Sequence, residues 1–508
     1  MERLSAVDAS FLYAEKPEMP LHVGGITVLE PREEDREGFF NIVAENLKQR
    51  MLDIPQMRWR VAEQPFNLDY PIWVEDPDLD WDYHLVHETL PAPGTMKQLY
   101  ERVGELHMEL LDRSRPLFRQ YIFDGLEDGN VAMYFKVHHS CMDGQMSTQM
   151  ATVMMDLDQN GRAPLSDEQK ELLGLNRKAA KLEPNLLTAV IDGVSSRLRR
   201  PLLRQMPALV QSGVAAARTF STSSGKSDDE GNDKPKEPKA KMPVTRFNGA
   251  VSNTRSLAGD VIEFDKLKTI KKAAGVTIND AVVAITGGAL RRYLDEKGEL
   301  PQEGSLVCGA PVALKQSGGS NNNLSIMTMS FRTDIADPIE RLQAVAQSAR
   351  DGKEKSAKMT EAMMGTPTGR ADGPGGTTGF RLPSTIVKPM ARLIANKNVM
   401  GNVPPVMHAV LSNVPGPNIP LYFAGARIVS NLPVSVVTHS ALLNITMASL
   451  NGEMLVGVIA CGKAVPDPEH LVALIIDECD VLLAALSGEP KPEGKAPAAA
   501  NDDSAKVA

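Results

Sequence analysis

Cysteine is scarce in this chain, with four among 508 residues. Cys141, Cys308, Cys461 and Cys479 form no CxxC pair. That spacing argues against a zinc site or a disulfide framework and points to a reducing compartment. A basic excess is also missing. Lys plus Arg is 55 against 64 for Asp plus Glu, a net charge of -9. A phosphate backbone requires the opposite balance, so nucleic acid is not an expected partner. No run reaches the roughly 20 apolar residues of a membrane-spanning helix. The longest candidate, Leu471 to Leu486, is broken by Asp477, Glu478 and Asp480. The opening MERLSAVDASF has no basic segment followed by an apolar one, so no secretory signal is expected. These absences lead us to expect a cytoplasmic protein whose membrane contact is peripheral.

What is present suits a soluble globular protein. Apolar residues make up 42% and charged residues 23%, which is ordinary for a folded soluble chain. The length exceeds what one core holds and predicts two domains. Residues 1–182 read as a mixed α/β unit. Leu21 to Leu29 predicts a strand with a glycine kink, and Val131 to Val137 a buried strand ending in a double histidine. Ser166 with Gln169 predicts a capping box. Residues 183–243 differ. Leu186, Leu187, Val190, Ile191, Val194 and Leu198 recur at helical spacing, followed by Arg197, Arg199, Arg200, Arg204 and Arg218. This is either an interfacial helix on anionic lipid or a helical connector. The stretch 221–243, rich in Ser, Asp, Lys and Pro, predicts a flexible linker. A second α/β unit is expected over 244–486, with Asp337-Pro338 and Asp467-Pro468 as helix starts. The glycine-rich stretch 365–379 predicts a loop, and 487–508 a disordered tail.

The chemistry concentrates in His138-His139-Ser140-Cys141-Met142-Asp143-Gly144. A strand end delivers two imidazoles to a turn, Gly144 permits an unusual backbone angle, and Gln145 to Leu157 predicts a helix. Acyl transfer to a hydroxyl requires removal of the hydroxyl proton as the oxygen attacks. Neutral imidazole, with an ordinary pKa near 6.5, does this at neutral pH. Asp143 is open to two readings: a direct bond to an imidazole, or a pairing with a distant arginine that braces the loop. An isolated HxxxD is weak, whereas HHxxxDG fixes two histidines, an aspartate and a glycine in a chain with nine histidines. No HExxH and no Cys/His cluster supplies a metal site. Cys141 occupies a variable position of the motif and is a poor candidate nucleophile.

The run His138 to Gly144 resembles the active-site motif of the CoA-dependent acyltransferase superfamily. Further segments resemble one branch of it, the bacterial wax ester synthase/diacylglycerol acyltransferase family. Arg115-Pro116-Leu117-Phe118 resembles its PLW motif with Phe118 in place of tryptophan. Asn279-Asp280 resembles its ND motif, and Ser412 to Pro417 its SNVPGP segment. Leu4 to Gly25, and Pro55 with Arg58 and Arg60, resemble its opening. The resemblance implies an α/β fold of two chloramphenicol-acetyltransferase-like halves with a substrate tunnel between them. It implies an O-acyltransferase moving a fatty acyl group from acyl-CoA to diacylglycerol or a long-chain alcohol. His139 is then the proton acceptor, with His138 largely structural and Asp143 orienting. Asn279 and Gly144 contact substrate, and Pro116 and Asn413 shape the tunnel and crossover. No cofactor is implied beyond acyl-CoA as co-substrate, because a thioester is already activated. The implied partners are the two substrates and a membrane or lipid-droplet surface. An acyltransferase for a soluble acceptor and an inactive lipid-surface binding protein are the competing readings.

The interfacial reading of Leu186 to Arg218 predicts that Arg197→Glu, Arg199→Glu and Arg200→Glu together weaken sedimentation with anionic vesicles, more at low salt than at high salt. Unchanged sedimentation selects the connector.

Overall fold

A computed structural model of the chain describes residues 3–64, 69–142, 144–161, 165–173, 175–179, 242–313, 324–364, 384–401 and 404–488. Asp143, the basic segment after residue 183, the glycine-rich stretch 365–379 and the tail beyond Gly488 lie outside the described residues.

Two six-stranded mixed sheets form the frame. The N-terminal part supplies β1 (His22–Glu30), β4 (Leu85–Thr89), β5 (Phe118–Asp124) and β6 (Val131–His138) to the first sheet, and β2 (Trp59–Ala62) with β3 (Ile72–Glu75) as a separate pair. The second sheet holds β7 (Arg255–Glu263), β8 (Val307–Ala313), β9 (Leu324–Ser330), β10 (Ala409–Val414), β13 (Leu443–Leu450) and β14 (Glu453–Cys461). Its order is β7-β14-β13-β10-β8-β9. The remaining strands, β11 (Tyr422–Phe423) and β12 (Ala426–Val434), belong to the first sheet, whose order is β11-β12-β1-β6-β5-β4. The region 244–486 therefore contributes to both sheets.

The crossover strand is held on both sides. β12 runs antiparallel to β1, pairing Gly24 with Val434 and Ile26 with Leu432. Leu432 also rests on two glycines that face one another across β7 and β14, Gly259 and Gly457. A Cβ on Gly259 would stand 2.4 Å from the Leu432 side chain, so the notch exists because both positions lack one. The glycines expected to kink β1 instead allow close approach, and the register shift against β12 falls at Val28/Leu29. A Cβ on Gly24 would come 1.8 Å from the Phe135 carbonyl oxygen of β6. One apolar core spans the halves, joining Tyr134, Leu99 and Val103 to Leu257, Ile445 and Val456. A second, containing Phe118, Val137 and Cys141, lies on the other side of the first sheet.

Local chemistry sets the helices. Thr95 caps Met96–Met108, Ser166 caps Asp167–Leu172 and Thr277 caps Ile278–Glu296, each in a reciprocal capping box. Asp337 accepts from the Ile339 and Glu340 amides and starts Pro338–Met364 as predicted. Asp467 behaves differently. The helix Pro468–Ser487 starts behind it, but its carboxylate makes no cap. Instead it binds the Tyr293 hydroxyl, at 2.5 Å, and the Lys297 ammonium, at 2.8 Å. Charge-assisted partners outcompeted the local amides. Among the described residues no single helix is long and apolar enough to cross a membrane.

Candidate active site

β6 brings the double histidine to the end of the first sheet. Val131, Ala132, Met133, Tyr134 and Val137 are buried, so the strand is covered on both faces and reads as a continuous apolar run. Its end is pinned from both neighbours. The His138 amide donates to the Leu117 carbonyl at 2.9 Å, and the His139 amide donates to the Leu21 carbonyl at 2.8 Å. A single 3-10 turn, His139–Cys141, follows, closed by the Met142 amide on the His139 carbonyl at 3.1 Å. Gly144 opens the helix Gly144–Met154.

His139 is half-buried. Its ring stacks on Phe11 with centroids 4.0 Å apart and planes 15° from parallel. Nδ1 is buried and has no hydrogen-bond partner among the described residues. Burial, the largest influence, lowers the His139 pKa to about 4, while its own backbone carbonyl pulls slightly the other way. The ring is therefore neutral at pH 7, the form that accepts a proton.

His138 faces the interior. The Ser140 amide donates to its Nδ1 at 3.1 Å and the Ser140 hydroxyl lies 2.7 Å from the same atom. An accepting Nδ1 assigns the proton to Nε2. That Nε2 stands 3.3 Å from Glu15 Oε1. His22 Nε2 lies at the same distance from the same oxygen, and His22 Nδ1 points at the His107 carbonyl at 3.2 Å. Neither imidazole contact is aligned as a hydrogen bond, so both act as close electrostatic contacts. Arg113 donates to the other Glu15 oxygen at 2.8 Å and to the Leu12 carbonyl at 2.7 Å. Burial alone would raise the Glu15 pKa; His138 and His22 beside it hold the carboxyl well below the usual carboxylate range. The network continues inward. His107 Nδ1 lies 2.7 Å from the Tyr134 hydroxyl, and burial drives its pKa far down. Lys136 donates to the Leu106 and Glu109 carbonyls at the end of Met96–Met108, and burial lowers its pKa to about 7.

The expected site residues are only partly gathered. His138, His139 and Gly144 lie together on one strand–turn–helix. Asp143 is outside the described residues. Asn279 sits half-buried in the first turn of Ile278–Glu296, and no hydrogen bond or ion pair joins it to the histidines among the described residues. Its neighbour Asp280 is taken up by the capping box with Thr277. Phe118 is fully buried against His84, 4.2 Å between centroids, at a β5 position paired with Val137. The PLW-like segment therefore supports the histidine strand. Asn413 is half-buried in β10 opposite Met447. Reading the sequence missed Glu15, His22, Phe11 and Arg113. Glu15, His22 and Phe11 lie inside the segment Leu4 to Gly25, yet no local pattern links Glu15 to Arg113 or His138 far along the chain. Among the described residues no group of His, Cys, Asp and Glu could hold a metal ion.

The chain is similar to known proteins in sequence and in fold. The family model for the wax ester synthase/diacylglycerol acyltransferase catalytic domain matches residues 4–282, and that for the WS/DGAT C-terminal domain matches 320–482. A Mycobacterium tuberculosis protein, provisionally named a diacylglycerol O-acyltransferase, is 31% identical over 474 residues, 92% of this chain and 97% of its own. O-acyltransferase WSD of Acinetobacter baylyi is 28% identical over 489 residues, covering 94% and 96%. The solved wax ester synthase/diacylglycerol acyltransferase of Marinobacter aquaeolei superposes with a TM-score of 0.67 at 26% identity, covering 96% of this chain and 100% of that one. The first condensation domain of the calcium-dependent antibiotic synthetase superposes at 0.54 with 13% identity, over 96% and 97%, a likeness of fold alone. The chain belongs to the wax ester synthase/diacylglycerol acyltransferase family.

Proposed function

We propose that His139 is the general base of an O-acyltransferase that moves a fatty acyl group from acyl-CoA to diacylglycerol or a long-chain alcohol. The observation that carries this reading is the state of His139: neutral at physiological pH, fixed by its backbone and stacked on Phe11. The names of its relatives supply the substrate class.

In this mechanism the acceptor oxygen attacks the thioester carbonyl while His139 takes its proton at Nε2, since Nδ1 is buried. The tetrahedral intermediate collapses by breaking its carbon–sulfur bond. The CoA thiolate then recovers the proton from the imidazolium, leaving the ester and free CoA. No bound cofactor enters, because the thioester is the activated donor. His138 and Glu15 are positioning residues: they fix the end of β6 from which His139 projects. Asp143 braces the same loop, and Asn279 with Gly144 contacts substrate. Insoluble products suit a protein working peripherally, on the inner face of a membrane or on lipid inclusions, from the cytoplasmic side.

The decisive assay supplies labelled palmitoyl-CoA with hexadecanol, diacylglycerol and a panel of polar acceptors. Wild type is expected to give wax ester, triacylglycerol or both, and His139→Ala to lose about 10²–10⁴-fold or more in rate. Ester formed only with a polar acceptor rejects the neutral-lipid reading; no product from either protein rejects the enzyme. In the same assay the acid limb of kcat/KM is expected about pH 4, well below free imidazole, because a lowered pKa keeps the base unprotonated to lower pH. A limb near 6.5 would show that the ring is solvated during turnover.

Glu15→Gln keeps the shape and removes the charge. Because Glu15 reaches His138 and not a substrate, kcat is expected to fall about 10–100-fold, the scale for groups that orient a functional histidine, with KM for acyl-CoA unchanged. Glu15→Asp should recover part of the loss. An equal fall in the folded fraction measured by circular dichroism would reduce Glu15 to a stability role.

A further inference from the structure

The helix Ser384–Ile394 buries one apolar face and exposes another. Val387 and Ala391 join the core formed with Leu4, Ala9, Leu12 and Tyr13, where this helix packs on Ala6–Ala14. The adjoining side, about a quarter-turn round the helix, carries Ile386, Met390, Leu393 and Ile394, which are 41%, 46%, 54% and 52% exposed. Their spacing of four, three and one places them in one stripe. Isolated exposed apolar residues are commonplace, but a contiguous stripe continuing an apolar face that is already partly buried marks an interaction surface.

Charge identifies the occupant. From Gly373 to Gly452 the chain contains no Asp or Glu, while it carries Arg381, Lys388, Arg392, Lys397 and Arg427. In a protein of net charge -9 this is a strong local segregation. On the helix itself, Arg392 is exposed beside the stripe, Lys397 is exposed just beyond its end, and Lys388 places its ammonium over the Tyr13 ring at 4.9 Å. Exposed apolar side chains bordered by cations, with no acid nearby in sequence, match a headgroup layer over an acyl boundary. A second copy of the chain suits this face less well, because a two-fold contact would bring like cationic flanks together.

Position gives the surface a use. The helix it packs on, Ala6–Ala14, carries Phe11, whose ring stacks on His139. The helix bearing the stripe is thus in contact with the helix whose Phe11 meets His139. We propose that the outer face of Ser384–Ile394 docks the protein on an anionic phospholipid surface, and that its apolar stripe enters the acyl boundary next to the site. This rests on the lipid-acceptor reading above.

The test uses the full chain in flotation with phosphatidylcholine vesicles, with and without about one-third phosphatidylglycerol. The variant Ile386→Gln/Met390→Gln/Leu393→Gln is expected to lose at least about tenfold in vesicle affinity, since three apolar side chains no longer leave water. Arg392→Gln/Lys397→Gln is expected to lose about fivefold per charge, and only on vesicles containing phosphatidylglycerol. With a short-chain acyl-CoA and a water-soluble alcohol, the triple variant should turn over like wild type, while transfer to vesicle-borne diacylglycerol falls. The proposal is overturned if the triple variant floats like wild type, if wild type does not float, or if only Arg197→Glu/Arg199→Glu/Arg200→Glu abolishes flotation. It is likewise overturned if light scattering shows the triple variant separating a dimer with vesicle binding intact. Wild type that floats but esterifies no acceptor would leave the docking surface standing and remove the acyl-transfer reading.

Discussion

A buried carboxylate is tolerable only when its surroundings replace the water it lost. Glu15 meets that condition through three side chains from three separate places: His22 at the start of β1, His138 at the end of β6, and Arg113 ahead of β5. The constraint runs both ways. Once Glu15 follows the Ala6–Ala14 helix into the interior, the strand ends carrying the two histidines must converge on it. His22 and His138 are paired across β1 and β6, so the carboxylate also sets the register there. A one-residue slip would turn His138 outward and His139 inward. The orientation of the proposed base therefore depends on a charge that does not touch it.

The same strand, β1, ties the halves together. It lies between β6, which ends in the histidines, and β12, which arrives from some 400 residues later. Were β12 absent, β1 would be an unpaired edge beside the site. Leu432 in the notch of Gly259 and Gly457 fixes how β12 meets the second sheet. The Met96–Met108 helix packs from the other side, with Gly104 close to the Arg255 carbonyl. A site built from N-terminal residues thus takes its rigidity from C-terminal ones.

That division explains what was legible in the sequence. The alternation and apolar run of residues 131–137 predicted a buried strand, and the strand is present with the histidines at its end. Ser166 with Gln169 predicted a capping box correctly, because the partners lie three residues apart. Asp467 looked like a helix cap by the same local logic, yet Tyr293 and Lys297 claimed its carboxylate. β12 and Glu15 were invisible for a related reason. The partners of β12, and Arg113 and His138 beside Glu15, lie far off in sequence, and neither periodicity nor spacing records a pairing made only in the fold. Motif resemblance carried further than pattern, since it named the family and its mixed α/β fold. It did not assign work to each motif residue: Phe118 is packed in the core and Asp280 caps a helix.

As the proposed base, His139 with a pKa lowered to about 4 is weaker than free imidazole, and that weakness has a physical return. The cause is desolvation, so the same burial that lowers the pKa keeps water away from Nδ1 and from the face stacked on Phe11. Competing hydrolysis of a thioester needs water at that ring. An apolar acceptor that enters removes more water still, and its hydroxyl then meets a base with no alternative proton source. The penalty falls on the imidazolium, which exists only between attack and departure of the thiolate. A thioester suits such a base because the leaving thiolate regains the proton at once, so the charged ring need not persist. Neutrality enforced by burial and an activated donor are two halves of one arrangement, and the buried end of β6 supplies the first of them.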